Sequence, residues 1–201
     1  MRKIVIMCVA ACLLAGCHMN GRQSDGKEAD GMDKNGELTE SFDPKADSLA
    51  VCGWVKSVYK DVFDAYLRHI NDIEIPSASV FDKKYFSEDY LQLDSLISAI
   101  DSKEAGMVGF RDADHWIQGQ DWCEDLACKI ENVRNDPTAA TVYLTITNCN
   151  GQQPVCLELK KEGKEQWSIT DMLTKSDSDE WVSEREQMQK YIDEMGEKAG
   201  E

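Results

Sequence analysis

Long apolar runs are missing from this chain of 201 residues. The run from Ile4 to Leu14 is far shorter than the roughly 20 apolar residues that a membrane-crossing helix needs. Positive charge is scarce as well: 22 Lys and Arg stand against 38 Asp and Glu, for a formal net charge of -16. Nucleic-acid binding rests on Lys and Arg neutralising phosphates, so DNA and RNA are excluded as expected partners. The acidity is read first as a solvated surface, with cationic or divalent partners as the weaker alternative. The chain also lacks G-x-S-x-G, H-E-x-x-H, phosphate-loop and dinucleotide fingerprints. No cofactor, no metal and no assigned catalytic residue are expected. There is no visible repeat and no coiled-coil pattern.

What is present begins with Met1-Arg2-Lys3, the apolar run, and Leu13-Leu14-Ala15-Gly16-Cys17. A basic start, a short apolar stretch and a small-residue cleavage site make a secretory signal. The cysteine directly after Ala-Gly makes residues 1 to 17 resemble the lipobox of a bacterial lipoprotein. That resemblance implies cleavage before Cys17, a diacylglycerol on its thiol and a bilayer as the first partner. Loss of Arg2 and Lys3 takes the net charge to about -18. His18 stands where enteric-type lipoproteins carry the inner-membrane retention aspartate, which implies the outer membrane. The acidic stretch Ser24 to Asp30 is read as spacer rather than as a surface-export signal, so the periplasmic and cell-surface faces both stay open.

Residues 17 to 47 are rich in Gly, Asp, Glu, Lys and Asn, with Leu38 and Phe42 the only large aliphatic or aromatic residues. Such a segment buries too little apolar area to offset its ordering entropy. It is expected to be a lipidated tether reaching roughly 30 Å as a coil. Residues 48 to 196 form one domain, and 197 to 201 a frayed tail. Of eight cysteines, Cys8, Cys12 and Cys17 belong to the signal. The remaining five (Cys52, Cys123, Cys128, Cys149 and Cys156) leave at least one thiol outside any intrachain pair. The expected disulfides are the local pairs Cys123–Cys128 and Cys149–Cys156. A four-thiolate zinc site is the weaker reading, because the spacing departs from the C-x2-C ribbon.

Val51, Val55, Val58, Val62, Phe63, Tyr66 and Ile70 recur at steps of three and four and predict an amphipathic helix capped by Asp47 or Ser48. Pro76 lies past its end. Ser87 caps a second helix carrying Tyr90, Leu93, Ile97 and Ile100, with Glu88 and Asp89 where the helix dipole favours acids. After Gly109 comes a loop to residue 122, and then the period becomes two. Leu126–Ile130, Val142–Ile146, Val155–Leu159 and Trp167–Ile169 predict antiparallel strands with one buried face. Asn150-Gly151 marks a hairpin. A last helix is expected over Asp179 to Met195, with Trp181, Met188 and Met195 in the core. The fold class is α+β: N-terminal helices packed on a curved antiparallel sheet of four or more strands, with a C-terminal helix.

The first helix with Tyr66-Leu67, the Tyr85-Phe86 pair, Asp112-Ala113-Asp114 with Gly119-Gln120-Asp121, the strand Ala140 to Thr147, and Trp167 to Asp171 carry a wider likeness. On these residues the domain resembles cone-shaped folds of the nuclear transport factor two or cystatin type. More narrowly it is similar to a family of small, uncharacterised bacterial envelope lipoproteins. The resemblance implies the fold and the possibility of a homodimer, and it carries no established activity.

The candidate ligand site is the loop holding Asp112, Asp114, His115, Trp116, Gln120, Asp121 and Trp122. Aromatic walls with a few polar groups commonly build small-molecule sites. The competing structural reading has the carboxylates cap turns while both tryptophans cover the sheet. Three functions follow. The first is a tethered, non-catalytic binding or interaction module for a small ligand or an envelope protein. The second is a cone-fold enzyme using Asp114, His115, Tyr90 and Tyr143 in acid-base chemistry. The third is an inhibitor or immunity-like protein.

Overall fold

A computed structural model describes residues 42–70, 77–103, 109–163 and 166–198. The signal, Cys17 and most of the expected tether lie outside the described residues. Four helices and five strands follow in the order α1 (Pro44–Arg68), α2 (Ala78–Tyr85), α3 (Glu88–Asp101), β1 (Ala127–Asn135), β2 (Ala139–Asn148), β3 (Gly151–Lys161), β4 (Trp167–Lys175), β5 (Trp181–Ser183) and α4 (Glu184–Lys198). The strands form one antiparallel sheet in sequence order, a plain meander. The α+β class read from the sequence is the class of the structure.

Helix α1 starts earlier than its apolar pattern. Asp43, not Asp47 or Ser48, is the N-cap: its carboxylate accepts the backbone N–H of Lys45 at 2.9 Å and of Ala46 at 3.3 Å, and Pro44 opens the helix. Proline fits there because the first-turn N–H has no helical acceptor. Helix α1 thus begins ahead of the cap expected at Asp47 or Ser48. Val51, Val55, Val58, Tyr59, Val62, Phe63 and Tyr66 are buried, as their spacing requires.

Those side chains meet the inner face of the sheet. Val142, Leu144 and Ile146 of β2 alternate with half-exposed Thr141, Tyr143 and Thr145, and Val155, Leu157 and Leu159 of β3 do the same job beside them. Burying one such side chain stabilises the fold by about 1.5–3 kcal/mol. Register shifts fall at Ile130/Asn132 and at Glu158/Leu159. Such bulges bend and twist the strand that carries them.

Two elements were not foreseen. Helix α2 is one, a short helix whose Phe81 and Asp82 are buried. Strand β5 is the other. Trp181 lies on it rather than on the last helix, is 36% exposed, and meets Tyr143 on the outer face of the sheet. Its expected core role is therefore corrected, whereas Met188 is fully buried on α4. The junction of α2 and α3 is pinned to the sheet, where Ser87 N–H donates to Ile169 O at 2.8 Å.

The hairpin between β2 and β3 turns one residue earlier than Asn-Gly suggests. Asn148 pairs with Gly151, so Cys149 (φ 50°) and Asn150 (φ 63°) are the two turn residues. Two consecutive positive φ values are what a type I′ turn needs. Asp125 holds the turn by accepting the N–H of Cys149 at 2.8 Å and of Asn150 at 2.6 Å.

Cys149 at this apex is bonded to Cys123, with Cα atoms 5.0 Å apart. Neither local pair forms, which corrects both expected disulfides. Cys128 sits within β1 opposite Ile146, and Cys156 sits within β3 opposite Tyr143. From Gly151 to Cys156 the extended chain runs about 17 Å, beyond the reach of a disulfide from the turn. Cys128 and Cys156 stay thiols, raised by burial to about 12 and about 11. The bond closes a loop with a sequence separation of 26 residues. Cys123→Ser, or reduction of the wild type, is expected to cost about 2–4 kcal/mol, measured by urea unfolding with and without reductant.

Candidate functional site

The loop from Phe110 to Trp122 is built around one tight turn. Asp114 and Gly119 exchange backbone hydrogen bonds of 2.9 and 3.3 Å. Gln118 adopts φ 53° and donates its amide to the carbonyl of His115 at 2.6 Å. The Asp114 carboxylate accepts Trp116 N–H at 2.8 Å and also the hydroxyl of Tyr66. Burial, reinforced by that carboxylate, drives the Tyr66 phenol far above its ordinary value. Asn148 fastens the far side of the loop, donating to Ile117 O at 3.1 Å and to Asp121 O at 2.8 Å.

The turn drives His115 and Trp116 inward. Trp116 is 0% exposed and meets Tyr59, Phe81, Tyr85 and Phe86 edge-on. Its indole N–H donates to Asp82 Oδ1 at 2.7 Å. His115 stacks on Phe86 and faces a carboxylate at each nitrogen. Nε2 lies 2.9 Å from Asp82 Oδ1, and Nδ1 lies 3.1 Å from both oxygens of Glu184. Glu184 is held on its other side by Arg111 Nε at 2.6 Å and by the Tyr90 hydroxyl at 2.6 Å. Arg111 also donates to Tyr90 Oη at 3.0 Å and pairs with Asp94.

Electrostatics follow from this packing. Burial alone would push the His115 imidazole down, but Glu184 and Asp82 outweigh it and raise it to about 10. Burial would raise Glu184; His115 and Arg111 overcome that and hold it at about 2. Burial and Glu184 together push the Tyr90 phenol far up. At neutral pH the cluster is therefore an imidazolium and a guanidinium interleaved with three carboxylates and a neutral phenol. Both imidazole nitrogens are donors, so neither lone pair is open to a substrate proton or a metal. Among the described residues no three His, Cys, Asp or Glu side chains converge on a common metal position.

The expected site residues part company here. His115 and Trp116 are interior, and Asp114 is a turn cap that reaches Tyr66. Asp112, Gln120 and Asp121 are exposed, Gln120 donating to Asp112 O at 2.9 Å. Trp122 is half-buried against the Tyr66 ring. The seven do not line one pocket. Of the proposed acid-base group, Tyr90 and His115 share the cluster, while Asp114 is turned to Tyr66 and Tyr143 lies on the outer sheet face under Arg134. Sequence reasoning missed Asp82, Asp94, Arg111 and Glu184. They come from three helices and one loop, and no spacing links them along the chain. Two of the cavities among the described residues are surface grooves. One of about 390 Å³ runs past Phe110, Asp112, Gln187 and Tyr191, and one of about 640 Å³ lies between α3, α4 and the β3–β4 ladder.

His115 binds its extra proton more tightly when folded, so its contribution is complete below about pH 6.5 and is lost as pH rises through about 10. Glu184 is the reverse case: its contribution is complete above about pH 4.5 and is lost as pH falls through about 2. The melting temperature should therefore peak near pH 4.5–6.5, and His115→Gln should remove most of the alkaline decline. An unchanged alkaline slope in the variant would refute the assigned charge. His115→Ala should cost about 3–5 kcal/mol, since it leaves the buried Asp82 carboxylate without its cation. Trp116→Ala should cost a similar ~3–5 kcal/mol from the cavity it opens, measurable by denaturant titration. Comparison with protein-family models, with curated proteins and with solved structures finds no match for this chain.

Proposed function

We propose that this protein is a lipid-anchored, non-catalytic interaction module of the bacterial cell envelope, tethered at the outer membrane through acylated Cys17. One observation carries the non-catalytic part. Asp114, His115 and Trp116 of the richest loop are engaged inside the domain, His115 and Glu184 by each other and by their neighbours. A catalytic acid or base needs a reachable proton site, and this cluster keeps its proton sites on internal partners. What the domain offers outward is surface: two helices with grooves between them and a sheet face with Trp181 and Tyr143. The anchor rests on Leu13 to Cys17 and the basic start before them. No helix among the described residues is long and apolar enough to cross a membrane. The cone-like envelope lipoprotein family remains the kinship this reading adopts. An envelope protein suits shallow grooves better than an enclosed metabolite does, since small ligands are held by burying most of their surface.

Two measurements test it in a Gram-negative host. An alkyne-bearing fatty acid should label the wild-type chain and leave Cys17→Ser unlabelled. Cross-linking in intact envelopes should then yield one reproducible protein adduct of the anchored chain. Absence of lipid overturns the anchor. Turnover of a small metabolite by the purified domain, with no adduct, overturns the interaction role.

A further inference from the structure

The groove between α3, α4 and the β3–β4 ladder has an unusual lining. Leu93 and Leu96 supply apolar surface, and Leu96 is 52% exposed although it is a large aliphatic residue on a helix. A second, shallower groove on the other flank of α3 shares Leu96 and adds Leu91. The rim is acidic. Asp89 comes from the first turn of α3, Glu186 from the first turn of α4, and Glu158 and Asp171 from the sheet. Among the described residues, the one cation lining it is Arg185.

The acids are not a balanced network. Glu158 and Asp171 stand directly opposite each other in the β3–β4 ladder. Like charges in that position repel and cost stability. Asp171 is partly relieved, because it accepts the Ser183 hydroxyl and the Arg185 N–H at 3.0 Å. The carboxylates of Asp89, Glu158 and Glu186 have no hydrogen bond or ion pair among the described residues. Some exposed acids elsewhere do find cations, as Asp61 finds Lys84 and Glu131 finds Lys129. The groove therefore combines exposed apolar surface with three carboxylates that make no hydrogen bond or ion pair among the described residues.

We propose that this groove docks a short cationic peptide segment of another protein, one that presents Lys or Arg on its flanks and an aliphatic side chain to Leu93 and Leu96. The proposal rests on the interaction-module reading and names the chemistry of the partner. A bare metal ion would leave the leucines exposed. An anionic lipid surface would be repelled by the same carboxylates. A second copy of this chain brings the same excess of acid. A basic amphipathic segment answers both features at once, by apolar burial in the groove and charge pairing at its rim.

The test uses the full domain and three synthetic peptides as long as α3: a Leu/Lys amphipathic sequence, its Glu-for-Lys counterpart and its Ser-for-Leu counterpart. Fluorescence anisotropy in physiological salt should show binding of the first only. Leu96→Ser, at an exposed position that folding tolerates, should weaken it at least tenfold. The triple variant Asp89→Asn, Glu158→Gln, Glu186→Gln should do the same. The charge-matched triple Asp112→Asn, Asp121→Asn, Asp177→Asn, on exposed acids away from the groove, should change affinity less than threefold. Equal losses from the two triples would mean attraction to the whole acidic surface and would overturn the site. So would equal binding of the Ser-for-Leu peptide, or no binding of the first. The envelope cross-linking experiment does not depend on this groove. An adduct retained by the groove triple would leave the interaction role standing and this site refuted.

Discussion

The imidazolium of His115, held between Asp82 and Glu184, is the interaction on which the helical layer depends. Asp82 belongs to α2, Glu184 opens α4, and Arg111 and His115 lie on the loop between α3 and the sheet. Tyr90 and Asp94 bring α3 into the same cluster. Three helices and a long loop thus share one set of charges. Buried ions of one sign are costly, and the cost falls only when partners surround them with good geometry. Every member here has such a partner. Removing one leaves the others charged and stranded, so the cluster stands or falls as a unit.

The aromatic packing sits directly beneath it. Phe86 stacks on Tyr90 and on His115, and the Trp116 ring is surrounded by four aromatic neighbours. Trp116 also links the apolar and ionic layers, because its N–H donates to the same Asp82 oxygen that faces His115. The loop can hold this posture because its middle and its exit are fixed. The Asp114 cap and the Gly119 turn close its middle, and Cys123 ties its exit to the β2–β3 hairpin. A Cβ at Gly119 would meet Asn148 Nδ2 at 3.2 Å, tighter than ordinary contact, at the place where Asn148 fastens the turn.

This arrangement also decides what the domain offers to the outside. A loop rich in Asp, His and Trp looks like a binding site when its residues are counted. In three dimensions its Arg111 and His115 pair with carboxylates of the helices, Trp116 fills the core, and Asp112 and Asp121 stay exposed. Carboxylates without a hydrogen bond or ion pair among the described residues also line the groove beside α3. The distinction matters for experiments, because substitutions at Trp116 or His115 change stability first and reveal little about a partner.

Local physics along the chain was enough for the α+β class, the inner-facing rows of α1, β2 and β3, the Ser87 cap and the approximate hairpin. Each depends on periodicity or on a residue's preference for a backbone conformation, and both act over a few neighbouring positions. Helix α2 escaped because its few apolar residues fill no complete period, and β5 because three residues establish no alternation. The pairing of Cys123 with Cys149, the burial of His115 and Trp116, and the convergence of Asp82, Asp94, Arg111 and Glu184 were decided by tertiary structure alone. Those groups are far apart in sequence, and only the folding of the helices over the sheet brings opposite charges and two sulfurs within bonding distance.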